Sequence, residues 1–328
     1  MNRRAWLRSV ATIPFAGGAT SAQAVRKPSL LVFVIDPGAA LPPGLTSFPR
    51  AYTANPEADP ALASVLTGRF SHASGVARNG SALPASTKCL ASALRSAGYR
   101  TVYTGGWPLR SAGPVTHGFD SWLRDGSVES VAKFARQDPR PFFAQVDCRG
   151  GSAKDWMQEL RPLGTIAAAV SLHGRESGLP LESSVRVRFG ISGVPDAAAA
   201  DLLISHVDLM PSLLGMAGVP VPAETQGRDL SALLAGGRGS RPESIFVHGN
   251  LGRPEEWRMV VRGLDKLVVN QAMQTTHLYN LGQDSGEENN LAADAAYQRT
   301  RDELTAHLVQ WMRRIGDRMD PSGLKVRG

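Results

Sequence analysis

Only two cysteines, Cys89 and Cys148, occur in 328 residues, so a disulfide framework and a four-cysteine zinc site are both excluded. Long apolar runs are missing too. The longest, residues 30–35, falls far short of the roughly 20 residues a membrane-spanning helix needs, and a soluble mature chain is expected. There is no Gly-Lys pair and hence no P-loop. No Gly-x-Ser-x-Gly elbow and no His-Glu-x-x-His helix occur either. The formal charge of +7 is small and dispersed, which argues against a nucleic-acid partner.

What is present has the balance of a globular chain: 42% hydrophobic, 20% charged, with 34 Gly and 22 Pro. The N-terminus reads as an address. Arg3 and Arg4 are followed by Trp6 and Leu7, then by a weakly apolar stretch over 10–19, then by Ala22-Gln23-Ala24. Basic, apolar and small-residue segments in that order predict a signal peptide over 1–24. The paired arginines point to twin-arginine export to the periplasm, with the export machinery as a transient partner. Cleavage after Ala24 removes three arginines and no acid, which lowers the positive balance further.

Ser29-Leu-Leu-Val-Phe-Val-Ile-Asp36 is an apolar run ending in an acid, as in a strand buried on both faces of a parallel sheet. In such sheets the ligand crevice lies beyond the strands' carboxyl ends, where Asp36 falls. Further strands are expected at 100–104, 141–146, 164–171 and 185–191, and helices at 60–66, 86–97 and 206–216. Ser205 with Asp208 forms a capping-box pattern for the last helix. After the loop 236–242 come short β-rich pieces at 244–247, 258–261, 266–269 and 277–279. A closing amphipathic helix carries Tyr297, Leu304, Leu308, Met312 and Ile315 on one face. The expected architecture is therefore α/β: a mixed sheet between helices over 25–235, a small antiparallel sheet with a helix over 243–318, and a tail over 319–328.

Residues 51–76, AYTANPEADPALASVLTGRFSHASGV, resemble the signature of sulfatases, in the alkaline-phosphatase-like superfamily. That signature runs approximately Cys-x-Pro-Ser-Arg-x-x-x-Leu-Thr-Gly-Arg, and Pro60, Leu66, Thr67, Gly68 and Arg69 match it. The likeness continues through 27–36, through 97–109 (Gly-Tyr-x-Thr…Gly-Lys-Trp-His-Leu in the family) and through His117-Gly-Phe-Asp120. It also covers 165–174, 182–187, 205–214, Gln226-Gly-Arg228, 266–268 and 278–291. The resemblance implies a formylglycine made from Cys or Ser, with calcium or magnesium beside it.

The family's chemical positions are filled otherwise here. Ala58 stands where the nucleophile belongs and Leu62 where its supporting Arg belongs. At the metal positions Asp36 and His173 remain, but Pro37 and Leu172 replace two carboxylates. Gly106 and Pro108 replace the Lys and His of the Gly-Lys-Trp-His segment, and residues 147–152 bring no His. A methyl group cannot form a covalent ester. One Asp and one imidazole do not offset a divalent charge, so no cofactor is expected.

Arg186 remains a candidate anion contact, with an ordinary strand-surface role as its plain alternative. Asp36 and Asp147 read as turn acids, and His173 and His206 as local hydrogen-bonding groups. Glu57 and Asp59 read as solvated loop acids or as sites of relocated chemistry, and the two cysteines as small buried hydrophobes. Three functions stay open: an inactive sulfatase-like protein, an ester hydrolase using relocated residues, and a module binding a sulfated carbohydrate or a protein.

Overall fold

The computed structural model describes residues 27–149, 153–176 and 178–319. Arg3, Arg4, Ala22 and Ala24, on which the expected signal peptide rests, and the tail beyond residue 319, lie outside the described residues.

Thirteen strands are described: β1 (Ser29–Ile35), β2 (Leu45–Ser47), β3 (Ala51–Tyr52), β4 (Arg100–Thr104), β5 (Ser121–Leu123), β6 (Phe142–Asp147), β7 (Thr165–Ser171), β8 (Phe189–Ser192), β9 (Ile204–Ser205), β10 (Ser244–Gly249), β11 (Trp257–Arg262), β12 (Asp265–Asn270) and β13 (Thr275–Asn280). Seven make one sheet in the order β2-β8-β7-β1-β6-β4-β5. All its described pairings are parallel except those of β8 with β7 and with β2, so the sheet is mixed.

Period-two alternation explains why β1 is apolar throughout. Leu30, Val32 and Val34 enter one core, while Leu31, Phe33 and Ile35 enter the core on the opposite face. Helices Ala58–Thr67, Leu90–Ser96 and His206–Met216 contribute to the first core, and Val128–Arg136 and Ala153–Leu160 to the second. The Asp208 carboxylate accepts the Ser205 N–H at 2.9 Å, the return arm of the expected capping box.

One expected strand is corrected. Val185, Val187, Phe189 and Ile191 alternate as in a strand, yet Glu182–Val185 is a one-turn helix and β8 begins only at Phe189. Val185 belongs to a different core from Val187, Phe189 and Ile191, so the alternation mixes two burial environments.

The second sheet is antiparallel in the order β10-β11-β12-β13. Phe246, Val260, Leu267 and Leu278 face the closing helix Gln298–Ile315 through Leu304, Leu308 and Met312. Ile245, Val247, Met259 and Val268 pack on Tyr52, Val185 and Leu203 of the first unit. Both faces are thus covered, and the His248 N–H donates to the Ala54 carbonyl at 3.2 Å. No described helix is long and apolar enough to cross a membrane.

Candidate functional site

The parallel register sets the crevice. Val34 lies opposite Asp147 and Ile35 opposite Ser171, so Asp36, Asp147, Leu172 and His173 leave the sheet along one edge. The Asp36 carbonyl accepts the Ala39 N–H at 3.0 Å, closing a turn through Pro37 and Gly38. Leu172 is only 3% exposed and belongs to the first core. His173 donates Nδ1–H to the Gly174 carbonyl at 2.8 Å, because a carbonyl can only accept. Calcium and magnesium call for six or more oxygen ligands, many of them carboxylate. This donor set does not fit: Pro37 offers no side-chain donor, and Leu172 is an aliphatic group in the core.

Ala58 opens the helix Ala58–Thr67 and packs at the margin of the first core, with Leu62 buried one turn on. Of the neighbouring acids, Glu57 is buried rather than solvated, and Asp59 is half-buried in the first helical turn. Glu57 is 6% exposed; its Oε2 accepts the Asn79 N–H at 3.2 Å and lies 3.4 Å from Arg253 Nη2. Glu57 Oε1 is buried without a hydrogen-bond partner among the described residues. Asp59 Oδ2 accepts the Gly80 N–H at 2.7 Å, while its own N–H donates to Asn79 Oδ1 at 2.9 Å. Together they pin the 79–80 loop across the helix start.

Arg149 holds Asp147 in a two-pronged grip, Nε to Oδ1 at 2.9 Å and Nη2 to Oδ2 at 2.6 Å. These hydrogen bonds, opposed by burial, raise the Arg149 pKa, and the Asp59 charge adds to the effect. Gly105 leaves room for this pair, since a Cβ there would lie 3.0 Å from the Asp147 Cβ. Gly106 sits directly beside it, and its carbonyl accepts the Tyr103 hydroxyl at 2.8 Å. Pro108 follows in the same loop and, like Gly106, brings no cationic group.

The adjoining cavity, about 590 Å³, is lined among others by Pro37, Gly174, Arg175, Glu182, Arg186 and Arg188. Arg186 ends the one-turn helix, lies 3.4 Å from Glu182 and remains 45% exposed in its side chain. Glu182 is further committed: Tyr52 donates to it at 3.2 Å, and the fully buried Lys266 Nζ lies 3.5 Å away. Lys266 also contacts Glu287 at 2.5 Å, and Glu287 accepts the Glu182 N–H at 2.7 Å. The second sheet is thereby bonded to the rim of the cavity. With those acids engaged by Lys266, the three arginines leave the cavity wall positive.

His206 is fully buried, with Nε2 3.0 Å from the Ser171 carbonyl and Nδ1 3.1 Å from Thr53 Oγ1. Burial lowers its pKa to about 4, so it stays neutral and joins the end of β7 to the residue after β3. Burial likewise pushes the Cys89 and Cys148 thiols up to about 12, which removes both as thiolates at neutral pH.

Away from this edge, His72, His248 and Asp317 place ligand-type atoms within 4.8 Å of one another. Arg258 already neutralises Asp317 there through bonds of 2.7 and 2.8 Å. Reading the sequence missed Arg149, Arg253 and Asn79. Asp147-x-Arg149 was a usable signal for the first, whereas Arg253 reaches Glu57 across 196 positions and left none.

Two family models match the chain. The sulfatase model covers residues 37–163, and the model for the C-terminal part of N-sulphoglucosamine sulphohydrolase covers 181–314. An N-acetylglucosamine-6-O-sulfatase of Bacteroides thetaiotaomicron is 36% identical over 75 residues, 23% of this chain and 13% of that protein. The match therefore spans only a small part of that relative. Among solved structures, a protein bound to its substrate D-glucosamine-2-N,6-O-disulfate aligns with TM-score 0.77 and 15% identity, over 92% of this chain and 100% of that one. A 2-O glycosaminoglycan sulfatase aligns with TM-score 0.73 and 18% identity, over 92% and 94%. At such identities these two show the shared fold.

Proposed function

The chain belongs to the sulfatase family, and from that premise we propose that it is an exported, catalytically inactive member whose cleft binds an anionic ligand. Ala58 at the nucleophile position carries this reading. Its methyl cannot attack sulfur, and the positions that would activate a replacement hold Pro37, Leu62, Gly106 and Leu172. Losing one oxyanion-stabilising donor already costs about 10²–10³ in rate, and several are replaced here. Arg175, Arg186 and Arg188 around the cavity supply the charge for a sulfated carbohydrate, a ligand class consistent with the sulfated sugar bound by the structural neighbour.

The test is turnover of aryl sulfate and aryl phosphate by the purified mature chain, with metal content measured in parallel. No turnover above a heat-killed control is expected, and no stoichiometric calcium or magnesium after dialysis. Tightly held metal lost on Asp36→Ala would overturn the metal part of the reading. A second reading rests on Glu57, whose Oε1 is buried without a partner among the described residues while its Oε2 faces Arg253, as a relocated catalytic acid. Turnover by the native chain that disappears in Glu57→Gln would establish it. Export rests on Arg3 and Arg4, so replacing both with Lys should retain the protein in the cytoplasm. Normal periplasmic accumulation of that variant would refute twin-arginine transport.

A further inference from the structure

A second cavity, about 390 Å³, opens where the first unit, the 236–242 loop and the closing helix meet. Arg228, Arg241 and Arg314 converge on it, one from each of these three parts. None makes an ion pair within 4.0 Å among the described residues. Arg228 lies 3.4 Å from the Ser244 carbonyl, Arg241 donates to the Ala198 carbonyl at 2.9 Å, and Arg314 rests 3.5 Å from the centre of the Trp311 ring. The cavity's acid, Glu243, is 75% exposed and pairs at 4.0 Å with Arg262 instead. The buried Asp208 carboxylate interacts with both Arg228 and Arg314, but that is one negative charge against three guanidinium groups, so the hollow still favours an anion.

The hollow also holds oriented donors. Ser244 Oγ accepts Trp311 Nε1–H at 2.8 Å and lies 2.6 Å from His307 Nε2. With neutral His307 in its Nδ1–H tautomer, the hydroxyl donates to Nε2. With His307 protonated, Nε2–H donates to Oγ instead, both oxygen lone pairs are taken, and the hydroxyl proton must find another acceptor. No described acid hydrogen-bonds His307 Nδ1 to back the pair, so it is a donor set rather than an activated nucleophile.

We propose that this cavity is an oxyanion site for a sulfate or phosphate group carried by a larger ligand. Arg228, Arg241 and Arg314 supply the charge, and Ser244 and His307 the hydrogen bonds. Its lining shares no residue with the cavity beside Arg186. An anion bound here ties the connecting loop to the closing helix, because its ligands come from both.

The test uses the full mature chain and the His307 ring resonances as a local reporter. Sodium sulfate or phosphate, added at constant ionic strength, should shift those resonances saturably, whereas chloride should not. His307 faces Arg228, Arg262, Arg314 and Glu243, and its pKa, lowered by burial and then by Arg262, should rise when the anion binds. Arg228→Gln with Arg314→Gln should weaken binding at least about tenfold. Arg241→Gln with Arg314→Gln, which leaves the half-buried Arg228 in place, checks that the loss is not unfolding. Arg186→Gln should leave the His307 response intact, separating this site from the cleft. A sulfated disaccharide compared with a sugar phosphate then identifies the source of the group. An equal response to chloride, or full affinity in both double variants, overturns the proposal.

Discussion

The two halves of one signature stretch have different fates. In the front half, Ala58 and Leu62 hold the places of a nucleophile and its support, and both pack apolar surface. The back half keeps the family pattern, and Gly68 and the residues after it have mechanical tasks. Gly68, at φ 63°, stops the helix, and its carbonyl accepts the N–H groups of Gln226 and Gly227 at 2.9 and 3.0 Å. Gln226 accepts the Phe70 N–H at 2.9 Å and donates to the Ile315 carbonyl at 2.6 Å, and His72 Nε2 reaches that same carbonyl at 3.0 Å. The back half therefore fastens three distant segments together. A family signature can thus keep its fold-building residues while the residues at its chemical positions differ.

The sharpest way to break this contrast is Gly227→Ala. A Cβ there would lie 1.8 Å from the Val207 carbonyl oxygen, which is backbone and cannot swing away. We expect a loss of about 4 kcal/mol or more, seen as insolubility or a collapsed denaturant midpoint. A near-normal midpoint would mean that the fastening carries little stability.

Leu172→Asp should cost roughly 3 kcal/mol, since it places an unpaired carboxylate in the first core. The contrast predicts no recovery on adding calcium. A calcium-dependent rise in melting temperature would show that the metal position survives.

Acid should weaken the buried histidine support next. The folded pKa of His206, about 4, lies below its ordinary value of 6.5, so the unfolded chain binds more protons between those values. Its contribution is complete above about pH 6.5 and is lost as the pH falls toward 4, approaching about 3 kcal/mol. His248, lowered by burial to about 3, acts in the same direction. Urea midpoints between pH 4 and 7 should show the slope, and His206→Gln should flatten it.

The smallest effect belongs to Ala58→Cys. Stability should change by less than about 0.5 kcal/mol, and aryl sulfate turnover should stay at background, because residues that act as a unit are not restored singly. Measurable turnover in that variant would mean the cleft needs less help than its residues suggest.

Much of this was readable before any coordinates. The apolar run of β1, the boundaries of His206–Met216 and the closing helix's apolar face follow from local periodicity, which depends on near neighbours in the chain. The short strands β2, β3 and β9 carried no such signal, because two or three residues do not establish a period. At the site, the replaced positions could be placed by resemblance, but burial decided their roles. Glu57 reads as a loop acid in sequence, and only the 79–80 loop and Arg253, folded over it, make it a buried one.

On the proposed reading of an inactive member, Leu172 also sets the order in which the family's chemistry could return. A carboxylate at 172 is penalised by the core from the first step, while it brings no rate until 37, 58, 62 and 106 have changed as well. The replacement therefore works as a ratchet. Sequences on the way back lose stability before any of them gains activity, and a laboratory selection for sulfatase turnover starting from this chain should reach it only after compensating substitutions accumulate around Leu172.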